Sequence, residues 1–181
     1  MDTTSTAHGS TTAPGRGILR RLLAADAQPG SGVMRFRAEV LLHASLDRTF
    51  AFFADAANLQ RLTPAWVNFR ILTAMPVVMR EGLEIDYRIA IRGVPMPWRS
   101  RIDVWEPGVR FVDRQVWGPY RWWRHEHRFE AAGPAATRVI DEIAYVPRFR
   151  WGSAGLVRRD VERIFAYRQQ ALAHVFGGSR A

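Results

Sequence analysis

Two histidines and two aspartates fall on neighbouring predicted strands, at a spacing that could form two buried His–Asp pairs. His125 and His127 are two residues apart, so on a strand both side chains point to the same face. Counting from the turns on either side of this strand places Asp113 opposite His125 and Asp141 opposite His127. An imidazole beside a carboxylate can accept or donate a proton near neutral pH, so these pairs could orient a polar ligand group or perform acid–base chemistry.

Further polar and aromatic side chains are predicted to share the face that carries these pairs. Arg168 lies in the middle of the apolar face of a predicted C-terminal helix, so its guanidinium would need Asp113, Asp141 or a carboxylate on a ligand as a counter-ion. The alternative is a satisfied internal hydrogen-bond network that closes a core without any ligand. The candidate ligand-binding residues are Tyr87, Trp98, Asp113, Gln115, Trp117, Trp123, His125, His127, Asp141, Tyr145 and Arg168.

No metal or other cofactor is predicted. The His-Glu-His spacing at 125–127 could supply two metal ligands from one strand face, but no third ligand is evident in the sequence. The absence of cysteine excludes disulfides, thiolate metal sites and thiol catalysis. A nucleophile elbow, a phosphate-binding glycine loop and a metal-binding helix motif are also missing, so no catalytic residue is assigned.

The composition predicts one globular domain. The chain has 181 residues, of which 48% are hydrophobic and 12% aromatic, enough for a substantial core. Its net charge of +9 comes from arginines scattered along the chain, which favours a solvated basic surface over a nucleic-acid site and allows transient contact with an anionic membrane. Without a signal peptide or a run of about 20 apolar residues, the protein is expected to be cytoplasmic. Its oligomeric state stays open.

One long amphipathic helix is predicted at the C-terminus. Residues 156–176 contain no proline or glycine, and Val161, Phe165 and Leu172 fall on one face of a 3.6-residue wheel. Gly177 follows as a C-terminal stop. A helix with such a face requires a sheet to cover it.

The remaining chain predicts that sheet. Residues 1–32, rich in Thr, Ser, Ala and Gly, are interpreted as a disordered tail, and 33–178 as the domain. A first strand and two short helices, over 45–54 and 56–62, precede six further strands joined by short connections, which favours an antiparallel meander. The predicted strands are 34–44, 66–73, 83–91, 98–104, 110–117, 121–131 and 137–146. The fold class is therefore α+β, with a curved antiparallel sheet of about seven strands around the long helix.

The element order and four segments resemble the START and Bet v 1-like (SRPBCC) superfamily, which includes polyketide cyclase/dehydrase-like proteins. The segments are 55–64, 66–72, 111–121 and 125–129, and the resemblance extends over about 34–176. It implies a helix-grip fold with a deep apolar cavity between sheet and helix, and a place in a bacterial ligand-binding branch. The loop 93–97 resembles, by position, the mobile gate of the superfamily's plant hormone receptors.

This resemblance implies binding or transport of a hydrophobic small molecule, such as a lipid or polyketide. The alternative is a polyketide cyclase or dehydratase that uses His–Asp acid–base chemistry in the same cavity. Non-catalytic binding ranks first because the inner polar groups need no catalysis to explain them. The ligand itself is left unidentified, because this fold hosts carriers, sensors and enzymes.

Overall fold

One antiparallel sheet and one long helix form the body of the protein. The computed structural model describes residues 28–148 and 154–180, so most of the predicted tail, 1–27, lies outside the described residues. The strands are β1 (Met34–Leu42), β2 (Arg70–Ile71), β3 (Glu84–Ile91), β4 (Val94–Glu106), β5 (Arg110–Trp117), β6 (Tyr120–Ala131), β7 (Thr137–Pro147) and β8 (Gly178–Arg180). The helices are α1 (Leu46–Ala54) and α2 (Ala154–Phe176), and two 3₁₀ turns span Ala56–Gln60 and Ala65–Val67.

The strands follow each other as a meander that closes on the first strand. Their order across the sheet is β2-β3-β4-β5-β6-β7-β1-β8, and every pair is antiparallel. The predicted α+β helix-grip fold, with its long C-terminal helix and short helical segments after β1, is confirmed. The three-residue β8 was not predicted, because so short a strand has no detectable alternation.

Two predicted boundaries were wrong for reasons of backbone geometry. The strand predicted over 66–73 is reduced to β2, because Asn68 adopts a left-handed conformation with φ of 45° after the second 3₁₀ turn. The loop predicted at 93–97 belongs mostly to β4. Arg92 and Gly93 form a two-residue hairpin turn with φ of 51° and 83°, so pairing with β3 resumes at Val94.

The long helix covers the sheet with the face that the sequence predicted. Its buried residues are Val161, Phe165, Arg168, Leu172 and Phe176. A side-chain hydrogen bond ties the helix to β1, since Gln169 Nε2 donates to the Glu39 carbonyl at 2.9 Å. No helix in the described part of the chain is long and apolar enough to cross a membrane.

Bulges decide which side chains of the central strands face the helix. Between β4 and β5, Ser100 pairs with Gln115 and Arg99 with Trp117, which leaves Val116 as an extra residue on β5. Between β6 and β7 the register shift leaves Arg121 as an extra residue, and its side chain is exposed, although the alternation predicted it inward. Each bulge reverses the inward–outward alternation from that point on.

Candidate functional site

A cavity of about 660 Å³ lies between the concave face of the sheet, the two 3₁₀ turns and α2. Most of its lining side chains are apolar or aromatic, among them Phe53, Leu62, Ile89 and Met96. This volume is within the range of small-molecule sites in proteins, about 300–1,000 Å³. The space between sheet and helix is therefore not closed by core packing.

The exposed lining residues mark the mouth of the cavity. They are Asp55, Trp66, Arg92 and Arg163. The Arg92 guanidinium binds the Asp160 carboxylate of α2, with Nε to Oδ2 at 3.1 Å and Nη2 to Oδ1 at 3.2 Å. The β3–β4 hairpin turn, which replaces the predicted gate loop, is thus joined to the helix across one side of the mouth.

Seven of the eleven candidate residues lie in the cavity wall, and the other four do not. The seven are Tyr87, Trp98, Asp113, Trp123, His125, His127 and Arg168. Asp141 and Tyr145 face the helix but lie behind the residues that line the cavity. Asp141 contacts both histidines. The Tyr145 ring packs on the Trp123 ring, with 5.8 Å between the ring centres. All three tryptophans were assigned to the wall from alternation, and for Trp117 that assignment was wrong.

Trp117 faces away from the cavity because of the bulge at Val116. The extra residue places Trp117 opposite Arg99, whose guanidinium lies 5.6 Å from the indole centre. Arg99 in turn binds the carboxylate of Asp86 on the outer face of β3. The predicted opposition of Gln115 and Trp123 is also absent, since the β5–β6 pairing ends at Arg114 and Arg124.

Gln115 holds the turn between β5 and β6 instead of lining the cavity. Its amide Nε2 donates to the Tyr120 carbonyl at 2.8 Å, and the Tyr120 N–H donates to its Oε1 at 3.2 Å. This clamp positions Tyr120, a cavity residue missing from the sequence prediction, against Trp98 and Trp123.

Gly118 is required for the Gln115 clamp. A Cβ at this position would lie 2.6 Å from Gln115 Oε1, and the Gln115 side chain is fully buried. We expect Gly118→Ala to lower the free energy of unfolding by about 1–3 kcal/mol through overpacking, measured by urea denaturation. Gly155→Ala in α2, where nothing lies within 4 Å, is the matched control and should leave stability unchanged or raised. Equal stability of Gly118→Ala and wild type would contradict the role of the clamp.

The two predicted His–Asp oppositions are confirmed, and they join into a single buried cluster. Asp113 pairs with His125 across β5–β6, and His127 with Asp141 across β6–β7. Asp141 Oδ1 contacts both rings. It lies 3.0 Å from His125 Nε2, with the geometry of a hydrogen bond. It also lies 2.7 Å from His127 Nδ1, but that contact does not have hydrogen-bond geometry. Asp113 Oδ1 lies 3.6 Å from His125 Nδ1 and 3.7 Å from His127 Nε2, beyond hydrogen-bond range.

Burial and neighbouring charges shift the pKa values of the two histidines in opposite directions. Burial and the neighbouring His127 lower the pKa of His125 to about 4, so this ring is neutral at pH 7. Burial also acts to lower the pKa of His127, but the Asp141 carboxylate and Asp113 outweigh it and raise the pKa above its ordinary value. Burial would raise the pKa of Asp141, yet the two imidazoles hold it well below its ordinary range. The pKa values of the two imidazoles are therefore shifted in opposite directions, and the His125 ring is the neutral one beside the cavity.

Arg168 completes the cluster from the helix side. Its residue surface is 7% exposed, and its Nη1 lies 3.9 Å from Asp141 Oδ1. Neither Nε nor Nη1 has a hydrogen-bond acceptor among the described residues. The guanidinium also lies over the Phe165 ring, 4.8 Å from its centre.

Three of these side chains could in principle hold a metal ion. Asp113, His125 and His127 each offer a ligand atom within 4.8 Å of the others, a two-histidine, one-carboxylate set of the kind used by Zn²⁺ and non-haem Fe²⁺. Asp113 was predicted opposite His125 but was not counted as a third ligand, because the prediction considered only the His-Glu-His spacing on one strand. The electrostatics disfavour a dication, since the Arg168 guanidinium already places a positive charge beside Asp141, with Nη1 3.9 Å from Oδ1.

The cavity residues that sequence reasoning missed come mainly from the helical turns and the mouth. Trp66 was assigned to a strand, yet it lies at the mouth under the Arg163 guanidinium, 4.9 Å from the ring centre. The alternation in β3 could have identified Ile85 and Ile89 as cavity residues, because they share the inward face with Tyr87. The Arg92–Asp160 contact had no signal, because 68 residues separate its partners.

Comparison with protein families gives a match over most of the chain. The model described as "Polyketide cyclase / dehydrase and lipid transport" matches residues 42–171, well over half of the chain. No curated protein sequence matches the chain significantly.

Solved structures share this fold at low sequence identity. An aromatase/cyclase from Streptomyces sp. aligns over 78% of this chain and 92% of its own, with 17% identity and a TM-score of 0.63. A START superfamily protein from Mycobacterium smegmatis covers 80% and 97%, with 12% identity and a TM-score of 0.62. The major latex-like protein 151 from Panax ginseng covers 78% and 97%, with 13% identity and a TM-score of 0.58. At such identities the likeness establishes the fold alone.

Proposed function

The chain belongs to the polyketide cyclase/dehydrase and lipid transport family, and from this premise we propose that it binds or transports a hydrophobic small molecule. The ligand would lie in the cavity between the sheet and α2, in contact with Trp98, Trp123 and Ile89. The observation that carries this proposal is the 660 Å³ cavity itself, which is lined mainly by apolar side chains. Well-packed cores contain few voids larger than a water molecule, so a space of this size supports a binding role.

The first test is native mass spectrometry of the freshly purified full chain, followed by solvent extraction of any adduct. A stoichiometric hydrophobic adduct is the expected result and would identify the chemical class of the ligand. Titration with the neutral dye Nile red tests the cavity independently of any ligand in the expression host. We expect saturable binding with increased fluorescence, since the dye would transfer from water to an apolar site.

A variant that fills the cavity separates specific from surface binding. Ile89 is 8% exposed and lines the cavity, so Ile89→Trp should occupy the space and abolish saturable Nile red binding. Val78→Trp adds the same side chain at a position that is 79% exposed and outside the cavity, and should bind as wild type. A mass spectrum without any adduct, together with no saturable Nile red binding by wild type, would count against the proposal. Equal Nile red binding by both variants would also count against it.

A second candidate function is a cyclase or dehydratase that acts on a poly-β-keto chain. The observation in its favour is the placement of both imidazoles in the cavity wall, with Asp141 behind them and with pKa values shifted in opposite directions. Such a pair could accept and donate protons during an aldol condensation and dehydration. The aromatase/cyclase with a similar structure is consistent with this chemistry but does not establish it.

Turnover decides between the two functions. Conversion of a poly-β-keto thioester by wild type, with loss of conversion in both His125→Ala and His127→Ala, would establish the enzymatic alternative. Ligand binding without conversion would establish the carrier or sensor. The predicted cytoplasmic location and transient membrane contact remain predictions, the latter supported by Trp66, which is 49% exposed beside Arg163 at the mouth.

A further inference from the structure

Arg168 is a cation in the cavity wall whose charge is incompletely compensated. In the described chain, Asp141 is the one carboxylate within 4 Å of its guanidinium, and the 3.9 Å separation is longer than a hydrogen bond. Asp141 is also shared with both imidazoles. Buried arginines normally have acceptors for their N–H groups, because an unpaired buried donor loses the full free energy of its hydration.

The carboxylates around the cavity do not supply Arg168 with a free acceptor. With Asp141 behind the wall, the lining contains four arginines against four aspartates, but Asp160 is bound by Arg92 and Asp141 is shared with both imidazoles. The residues are Arg92, Arg148, Arg163 and Arg168, and Asp55, Asp113, Asp141 and Asp160. The whole chain carries +9, so the surrounding field also favours negative ligands.

An apolar ligand would leave the Arg168 Nε and Nη1 groups without hydrogen-bond acceptors. Filling the cavity with hydrocarbon would lower the dielectric constant around Arg168, which makes an uncompensated charge more costly. A ligand with one anionic group would instead supply the missing acceptor. Its apolar part would extend from the buried Arg168 towards the exposed Trp66 and Arg163 at the mouth.

We propose that Arg168 is an anion subsite at the inner end of the cavity and that the ligand is an amphipathic carboxylic acid, bound by its carboxylate. This inference rests on the proposed function, because it requires that the cavity holds a ligand. It names the chemical class of that ligand, which neither the fold nor the family determines.

The test compares two ligands that differ in one group. Decanoate and decan-1-ol are titrated into the full chain at pH 7.5 by isothermal titration calorimetry, where decanoate is ionised. A charge-assisted hydrogen bond predicts at least about tenfold tighter binding of decanoate. In Arg168→Gln this preference should disappear, with binding of decan-1-ol retained. Arg159→Gln makes the same change at an exposed position of α2 outside the cavity and should keep the full preference.

The possible outcomes separate this inference from the proposed function. Equal affinity of wild type for decanoate and decan-1-ol would overturn the anion subsite while supporting the cavity as a binding site. A decanoate preference that survives in Arg168→Gln would also overturn it and would assign the preference to another cation. Failure of both probes to bind would overturn the subsite together with the proposed function. Because the wild-type comparison needs no variant, the test stands even if Arg168→Gln does not fold.

Discussion

Replacement of Asp141 by alanine is expected to lower the free energy of unfolding by about 3–5 kcal/mol, the usual cost of removing one partner from a buried ion pair. Asp141 is 3% exposed and its Oδ1 contacts His125, His127 and Arg168. Without this carboxylate, the Arg168 guanidinium would be buried with no carboxylate within 4 Å among the described residues, and both imidazoles would lose their shared partner. The loss should be seen as a lower midpoint of urea denaturation at an unchanged slope.

The adjacent Glu142 provides a matched control on the same strand. Its side chain is 38% exposed on the outer face, where it binds Arg37 and Arg128. Because exposed ion pairs contribute little, Glu142→Ala should change the free energy of unfolding by less than about 1 kcal/mol. If the two variants were equally stable, the cluster would not depend on Asp141 for its charge compensation.

The sequence was sufficient to predict the two His–Asp pairs, though not their joining through Asp141, because each pair depends on strand register alone. Asp113, His125, His127 and Asp141 lie in stretches of β5, β6 and β7 where pairing is regular, so counting from the turns placed them correctly. Arg168 was placed by helical periodicity, which α2 follows along its length. In regular secondary structure, the spacing of residues in the sequence therefore determines which side chains share a face.

The errors lie where regular spacing is interrupted. One extra residue, Val116, turned Trp117 from the inner to the outer face, and a bulge of this kind leaves no signature in an alternating sequence. The left-handed Asn68 shortened β2 and placed Trp66 at the mouth. The size of the cavity was also unpredictable, because it depends on the separation of sheet and helix rather than on local pattern.

The pKa of His125 leads to a specific loss of stability in acid. The folded ring has a pKa of about 4, whereas the ordinary value is 6.5, so below pH 6.5 the unfolded chain binds a proton that the folded chain does not. Stability should therefore fall as pH decreases from 6.5 to 4. The difference between these two values corresponds to about 3 kcal/mol. Denaturation midpoints measured across this range would show the decrease.

The other titratable groups of the cluster are not expected to change the stability between pH 6.5 and 4, so the change in this range is assigned to His125. The pKa of His127 is raised, so its stabilising contribution is complete below pH 6.5 and constant from there down to pH 4. Asp141 has a lowered pKa, and its contribution is lost only at more acidic pH. Asp113 on β5 and Arg168 on α2 are the other charged groups of the cluster.

His125→Gln isolates this contribution, because the amide has a similar polarity but no proton to gain. In this variant the loss of stability between pH 6.5 and 4 should shrink by about 3 kcal/mol relative to wild type, whatever its stability at pH 7. The exposed His43→Gln removes a histidine outside the cavity and should keep the wild-type slope. A wild-type slope in His125→Gln would mean that His125 accepts its proton in the folded protein. The neutral ring assigned here to the cavity wall, and with it the division of roles between the two imidazoles, would then be wrong.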